Sequence, residues 1–96
     1  MRVRDDVIRL RQQILAAASA NGAERIRVFG SVARGEETPE SDIDFLVSLR
    51  PGRTLLDLAR LEQQLETLLG RRVEVLTEDS LQAPIRETAL RQAMNV

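Results

Sequence analysis

Two aspartates one residue apart, Asp42 and Asp44, are the residues of this chain best placed to do chemistry. If Asp42-Ile43-Asp44 is extended, both carboxylates share one face and Ile43 points to the other. Charges about 6.6 Å apart repel by roughly 2.5 kcal/mol at an effective dielectric near 20. Solvent at a sheet edge offsets that repulsion, and a divalent cation offsets it better. Oxygen-only donors suit Mg²⁺ or Mn²⁺. Upstream, Gly30-Ser31 ends an apolar run and opens a helical turn. Free amides and a hydroxyl at such a turn receive phosphate, although an ordinary serine-capped turn has the same pattern. In "RRVEVLT", Val73 and Val75 flank Glu74. If the valines face a core, Glu74 faces the opposite side. It then either joins the aspartates, as metal ligand or proton acceptor, or stands as an outward polar residue. Each pattern alone is weakly specific. Together they offer the cation site and the anion cradle that a triphosphate requires.

The rest of the composition narrows the chemistry. Histidine, cysteine and lysine are all absent, and every basic residue is arginine. Imidazole acid–base work, thiol nucleophiles, disulfides and zinc sites of the usual kind are therefore excluded. Phe29 and Phe45 are the only aromatics, too few for single-strand nucleic-acid stacking. A net charge of −1 supplies no general attraction to nucleic acid or to an anionic membrane. No apolar run approaches the ~20 residues of a membrane span, and residues 1–19 lack the apolar centre of a signal peptide. The expected location is the cytoplasm. With 96 residues, a single domain over 1–96 with one modest core is expected.

The elements that must position these side chains can be read from hydrophobic spacing. Val7, Ile8, Ile14, Leu15 and Ala18 predict a first helix, started by Asp5 and Asp6 and stopped at Asn21-Gly22. Ile26–Phe29 predicts a short strand, and Gly30 and Gly35 bracket at most one helical turn. Residues 36–41 form a polar, proline-containing loop. Ile43–Leu49 predicts the second strand, ended by Pro51-Gly52. Thr54 with Asp57 resembles a capping box. Leu55, Leu58, Leu61, Leu65, Leu68 and Leu69 then predict a helix whose apolar stripe is core, closed by Gly70. Val73–Thr77 predicts a third strand. A last helix starts at Asp79 or Ser80, with Pro84 in its first turn and Ile85, Ala89, Leu90 and Ala93 facing inward. The order α-β-β-α-β-α implies an α/β (α+β) fold, a small mixed sheet of three or four strands packed with helices.

Gly30-Ser31, ten intervening residues, then Asp42-Ile43-Asp44 resembles the GSx10DxD signature of the polymerase-β-like nucleotidyltransferases. The longer string "FGSVARGEETPESDIDFLV" resembles the minimal nucleotidyltransferase domains in particular, which often accompany a HEPN-domain toxin in toxin–antitoxin pairs. The resemblance implies that Gly30 and Ser31 grip the β- and γ-phosphates of ATP, with Arg34 touching phosphate or bracing an acidic neighbour. It implies that Asp42 and Asp44 hold two Mg²⁺ ions, and that Glu74 matches the third family carboxylate, which is often aspartate. Ser41, before the first aspartate, is expected to stabilise the turn.

The implied reaction transfers AMP to a hydroxyl, tyrosine by family likeness, of a partner HEPN toxin. This chain has no tyrosine of its own to label. A non-catalytic antitoxin that occludes its toxin remains the alternative. Adenylylation of small molecules fits less well, because 96 residues leave no room for a second, acceptor-holding domain. The resemblance further implies homo- or hetero-oligomers. With both aromatics in predicted strands, little is left to sandwich an adenine, so the base is expected to rest on aliphatic surface or on a partner chain and to be weakly discriminated.

Overall fold

The computed structural model describes residues 3–36, 38 and 40–96. Glu37 and Pro39 of the expected polar loop lie outside them. The chain opens with α1 (Val3–Arg9) and α2 (Arg11–Ala20). These occupy the span expected for one helix. The backbone loosens at Leu10 (φ −98°, ψ 16°), but hydrogen bonds from Leu10 N to Asp6 O and from Ile14 N to Leu10 O bridge the joint. Then follow β1 (Ala23–Phe29), the single turn α3 (Ser31–Arg34), β2 (Ile43–Leu49), α4 (Leu55–Leu69) and β3 (Val73–Thr77). A 3₁₀ turn (Glu78–Ser80), α5 (Ile85–Gln92) and the two-residue β4 (Met94–Asn95) complete the order.

The sheet runs β3-β2-β1-β4. β1 is antiparallel to both β2 and β4, whereas β2 and β3 are parallel. A parallel neighbour requires a crossover, and α4 is that crossover. Thr54 caps it as expected: its hydroxyl accepts from Leu56 N–H and the Asp57 carboxylate accepts from Thr54 N–H.

Alternation along the strands splits the sheet into two faces. Ile26 and Val28 of β1, Ile43, Phe45 and Val47 of β2, and Val73 and Val75 of β3 join one core with Val7, Ile14, Ala18, Leu61 and Leu65 of the helices. Phe45, Ile43, Ile14, Leu61 and Leu65 are fully enclosed, each burial being worth about 1.5–3 kcal/mol. Asn21 is buried at the junction of α2 and α4. Its amide donates to Ala17 O at 2.8 Å and to Gln64 Oε1 at 2.9 Å. The opposite face carries Phe29, Arg27, Asp44, Leu46, Glu74 and Leu76 by strand alternation, and α5 covers only part of it. An Arg27–Glu78 ion pair ties the 3₁₀ turn to this face.

Three expectations need correction. The apolar stripes are shorter than their sequence spacing implies, since Leu55 is 81%, Ile8 65% and Ile85 64% exposed. Leu55 begins α4 immediately after the Thr54 cap, before the helix has reached the sheet. The first strand starts three residues early, at Ala23, through an irregular register between Ala23 and Arg25. The last helix starts at Ile85, with Pro84 before it and not within its first turn. The residue preceding a proline is steered away from helical backbone, so Ala83 blocks extension back to Ser80. The sheet of three or four strands expected has four, the fourth being the two-residue β4, too short to show alternation in the sequence.

Replacing Asn21 with alanine removes both amide bonds and leaves the Gln64 carbonyl without its partner. The expected loss is about 1–2 kcal/mol, read as a Tm lower by about 5–15 °C in thermal unfolding.

Candidate active site

Asp44 is the centre of the candidate site. The antiparallel register sets Phe29 opposite it on one side, and the parallel register sets Glu74 opposite it on the other. One row across the sheet therefore reads Glu74, Asp44, Phe29, with all three side chains on the face away from the main core. Asp44 and Glu74 stand opposite one another across the β2–β3 ladder, and Glu74 acts on the Asp44 carboxyl. Asp42 lies just before β2 and acts on Asp44 electrostatically. Among the described residues no three acidic side chains are preset at the spacing of a closed metal cage. Mg²⁺ needs no such cage, since one or two carboxylates suffice when waters and phosphate oxygens complete its shell.

The Gly-Ser turn reaches the same point. Gly30 has φ +73°, a backbone region in which side chains are strained. A Cβ on Gly30 would lie 2.6 Å from Asp44 Oδ2. Glycine is therefore required twice, for the turn and for the carboxylate beside it. Gly30 O accepts from Arg34 N–H, closing the single turn of α3. Val32 is fully buried and anchors that turn to the core. Among the described residues the Ser31 hydroxyl has no hydrogen-bond partner. Ser41 stabilises its turn as expected: its Oγ accepts from Thr38 N–H at 2.9 Å and its N–H donates to Thr38 O at 3.0 Å.

Arg34 braces an acidic neighbour, one of the two roles expected of it. Its Nε donates to Glu36 Oε2 at 3.0 Å, and its Nη1 donates to Gln92 Oε1 of α5 at 3.1 Å. The structure thus gathers Gly30, Ser31, Asp42, Asp44 and Glu74 at one end of the sheet, with Arg34 beside them. Sequence reasoning missed Phe29 and the α5 residues that approach it. Alternation was the available signal for Phe29: with Val28 inward, Phe29 must share the face of the acidic residues.

The carboxylates oppose one another in charge. Partial burial, then Glu74, then Asp42 push the Asp44 carboxyl up from 3.8 to about 6, and Arg34 pulls it back in part. A donor set of oxygens alone, crowded until one of them retains a proton near neutrality, fits a hard divalent cation. In metal-free protein, folded Asp44 holds its proton up to about pH 6, whereas unfolded Asp44 releases it near 3.8. The folded chain binds more protons between those values, so stability falls as pH rises through that window. Asp44→Asn removes this loss. In EDTA the variant is expected to match wild type near pH 4. At pH 8 it should be more stable by about 1 kcal/mol, after allowance for solvent screening of a half-exposed group. Coincident melting curves at pH 8 would contradict the repulsion.

Residues 10–94 match the family model described as nucleotidyltransferase domain. A Methanocaldococcus jannaschii protein named as a protein adenylyltransferase is 39% identical over 87 residues, covering 91% of this chain and 94% of its own. The protein adenylyltransferase MntA of Thermococcus cleftensis is 43% identical over 75 residues, covering 78% and 76% respectively. A solved minimal nucleotidyltransferase is similar over the whole of this chain and 97% of its own, with 46% identity and a TM-score of 0.89. A toxin–antitoxin crystal structure with AMP-PNP shares the fold over 88% of this chain and 69% of its own, at 22% identity and a TM-score of 0.75. The chain belongs to the nucleotidyltransferase domain family, and within it to the minimal nucleotidyltransferases.

Proposed function

We propose that the chain transfers AMP from ATP to a hydroxyl, that of a tyrosine, on a partner HEPN toxin, and so acts as that toxin's antitoxin. The observation that carries this reading is the convergence at Asp44, with the Gly30 turn against one carboxylate oxygen and Glu74 facing it from the next strand. It is supported by two relatives named as protein adenylyltransferases and by fold likeness to a toxin–antitoxin structure with AMP-PNP. The partner's HEPN class and the tyrosine acceptor rest on the family resemblance of the Gly-Ser and Asp-Ile-Asp motifs.

In this reading Gly30 and Ser31 hold the β- and γ-phosphates through backbone amides and the free Ser31 hydroxyl. Asp42 and Asp44, with Glu74 as third carboxylate, hold two Mg²⁺ ions or Mn²⁺ in their place. Magnesium, when bound, neutralises phosphate charge and favours ionisation of the acceptor hydroxyl. The acceptor oxygen attacks the α-phosphorus and forms a new O–P bond. The bond from that phosphorus to the bridging oxygen breaks, and pyrophosphate leaves with the electron pair. The acceptor proton passes to Glu74, which is exposed at the edge strand and open to an incoming side chain. Because this chain has no tyrosine, the acceptor lies on another molecule, and the working unit is a hetero-oligomer. Among the described residues no helix is long and apolar enough to cross a membrane. We place the reaction in the cytoplasm, where ATP and toxin meet.

The test is label transfer from α-³²P-ATP to the toxin encoded beside this gene, with Mg²⁺. Asp42→Ala and Asp44→Ala are each expected to lower transfer by about 10²–10³. Toxin neutralisation that persists in both variants without label would replace transfer with simple occlusion.

A further inference from the structure

We propose that the groove between the end of β1 and α5 receives the nucleoside of the triphosphate, its base lying against the Phe29 ring and Ile85. This inference rests on the nucleotidyl-transfer reading and adds where the unreacting part of the substrate is held.

Position comes first. The groove is lined by Gly30 and Arg34 of the phosphate turn, so it is continuous with the proposed cradle. In the row Glu74, Asp44, Phe29 it lies on the Phe29 side. The acceptor hydroxyl approaches from the Glu74 side, where its proton is taken. The nucleoside must then leave the α-phosphorus on another side, and the Phe29 side is where the open space lies.

Chemistry agrees. The walls are the Phe29 ring on the sheet and Ile85 on α5, and the buried Ala89 keeps the space between them open. The volume is about 290 Å³, near the lower end of small-molecule sites, which start at about 300 Å³. Its polar groups are already engaged in part. Thr88 Oγ1 donates to Pro84 O at 3.4 Å, and Gln92 Oε1 accepts from Arg34. The apolar walls away from Gly30 and Arg34 suit a flat, largely apolar ring. Ile85 is 64% exposed on a helix whose other outward residues are mostly polar, and a stacked base gives that apolar surface a partner. The Gln92 amide N–H groups and the Arg34 N–H groups not bonded to Glu36 or Gln92 are the side-chain donors left at the rim, and the ring nitrogens of adenine and guanine can both meet them.

The experiment compares ATP, GTP and inorganic tripolyphosphate by calorimetry with Mg²⁺, on the full chain and on Ile85→Glu. ATP is expected to bind wild type more tightly than tripolyphosphate, with GTP close to ATP. Ile85→Glu is expected to weaken ATP by about five- to tenfold and leave tripolyphosphate unchanged. Ile85 is exposed, so the variant should fold, and Ile85→Ser is a milder second variant if circular dichroism shows otherwise. ATP affinity unaltered by either variant overturns the proposal, including the case in which transfer to the toxin slows because the groove takes an apolar side chain of the acceptor. Equal weakening of ATP and tripolyphosphate in a folded variant also overturns it. Wild type that binds tripolyphosphate as tightly as ATP refutes the groove alone. Wild type that binds neither refutes the nucleotide reading and the groove with it.

Discussion

The parallel pairing of β3 with β2, in the register that sets Glu74 opposite Asp44, is the constraint on which the rest depends. Side chains alternate with a period of two, so a slip of one residue would turn Glu74 into the core and bring Val73 or Val75 to the acidic face. Parallel strands cannot hold register through a tight turn. Here the register is held at a distance, by α4 packed on the sheet. The Thr54 cap, the buried Leu61 and Leu65, and the Asn21–Gln64 bond to α2 all restrain that helix. The main core thus acts as a jig for the acidic residues on the opposite face.

That arrangement has an energetic cost, and the cost is informative. Asp44 is pressed between Glu74, Asp42 and partial burial, and keeps its proton to about pH 6. Gly30 sits in a backbone region that other residues avoid, against the same carboxylate. A glycine-only turn and like-charge crowding at one point are hard to explain as stabilising features. They make sense where a cation and a polyphosphate are to be received.

The two faces of the sheet have different duties. One is sealed by α1, α2 and α4. The other is covered in part by α5, and its open remainder holds the carboxylates and the groove at Phe29. Arg34 joins the two halves of this open face, reaching Glu36 on the loop and Gln92 on α5. A 96-residue chain has enough apolar material for one sealed face, and the incompletely covered face is where ligands can enter.

Much of this was legible beforehand. The limits of β2 and β3, the Thr54 cap, the Gly70 stop and the turn at Gly30 all follow from local rules: alternation, capping geometry and the freedom of glycine. The sequence also determined which residues could do chemistry, because a chain without histidine, cysteine or lysine leaves mainly carboxylates, hydroxyls, arginines and backbone amides. Strand order, however, is a long-range property. No local pattern told whether β3 lay beside β2, and so whether Glu74 joined Asp44. Only tertiary structure decided that, along with the exposure of Leu55, Ile8 and Ile85, the addition of β4 and the approach of α5 to Phe29. Periodicity says which side of an element is apolar. What that side meets depends on how far its neighbours extend, which is settled only when the elements pack.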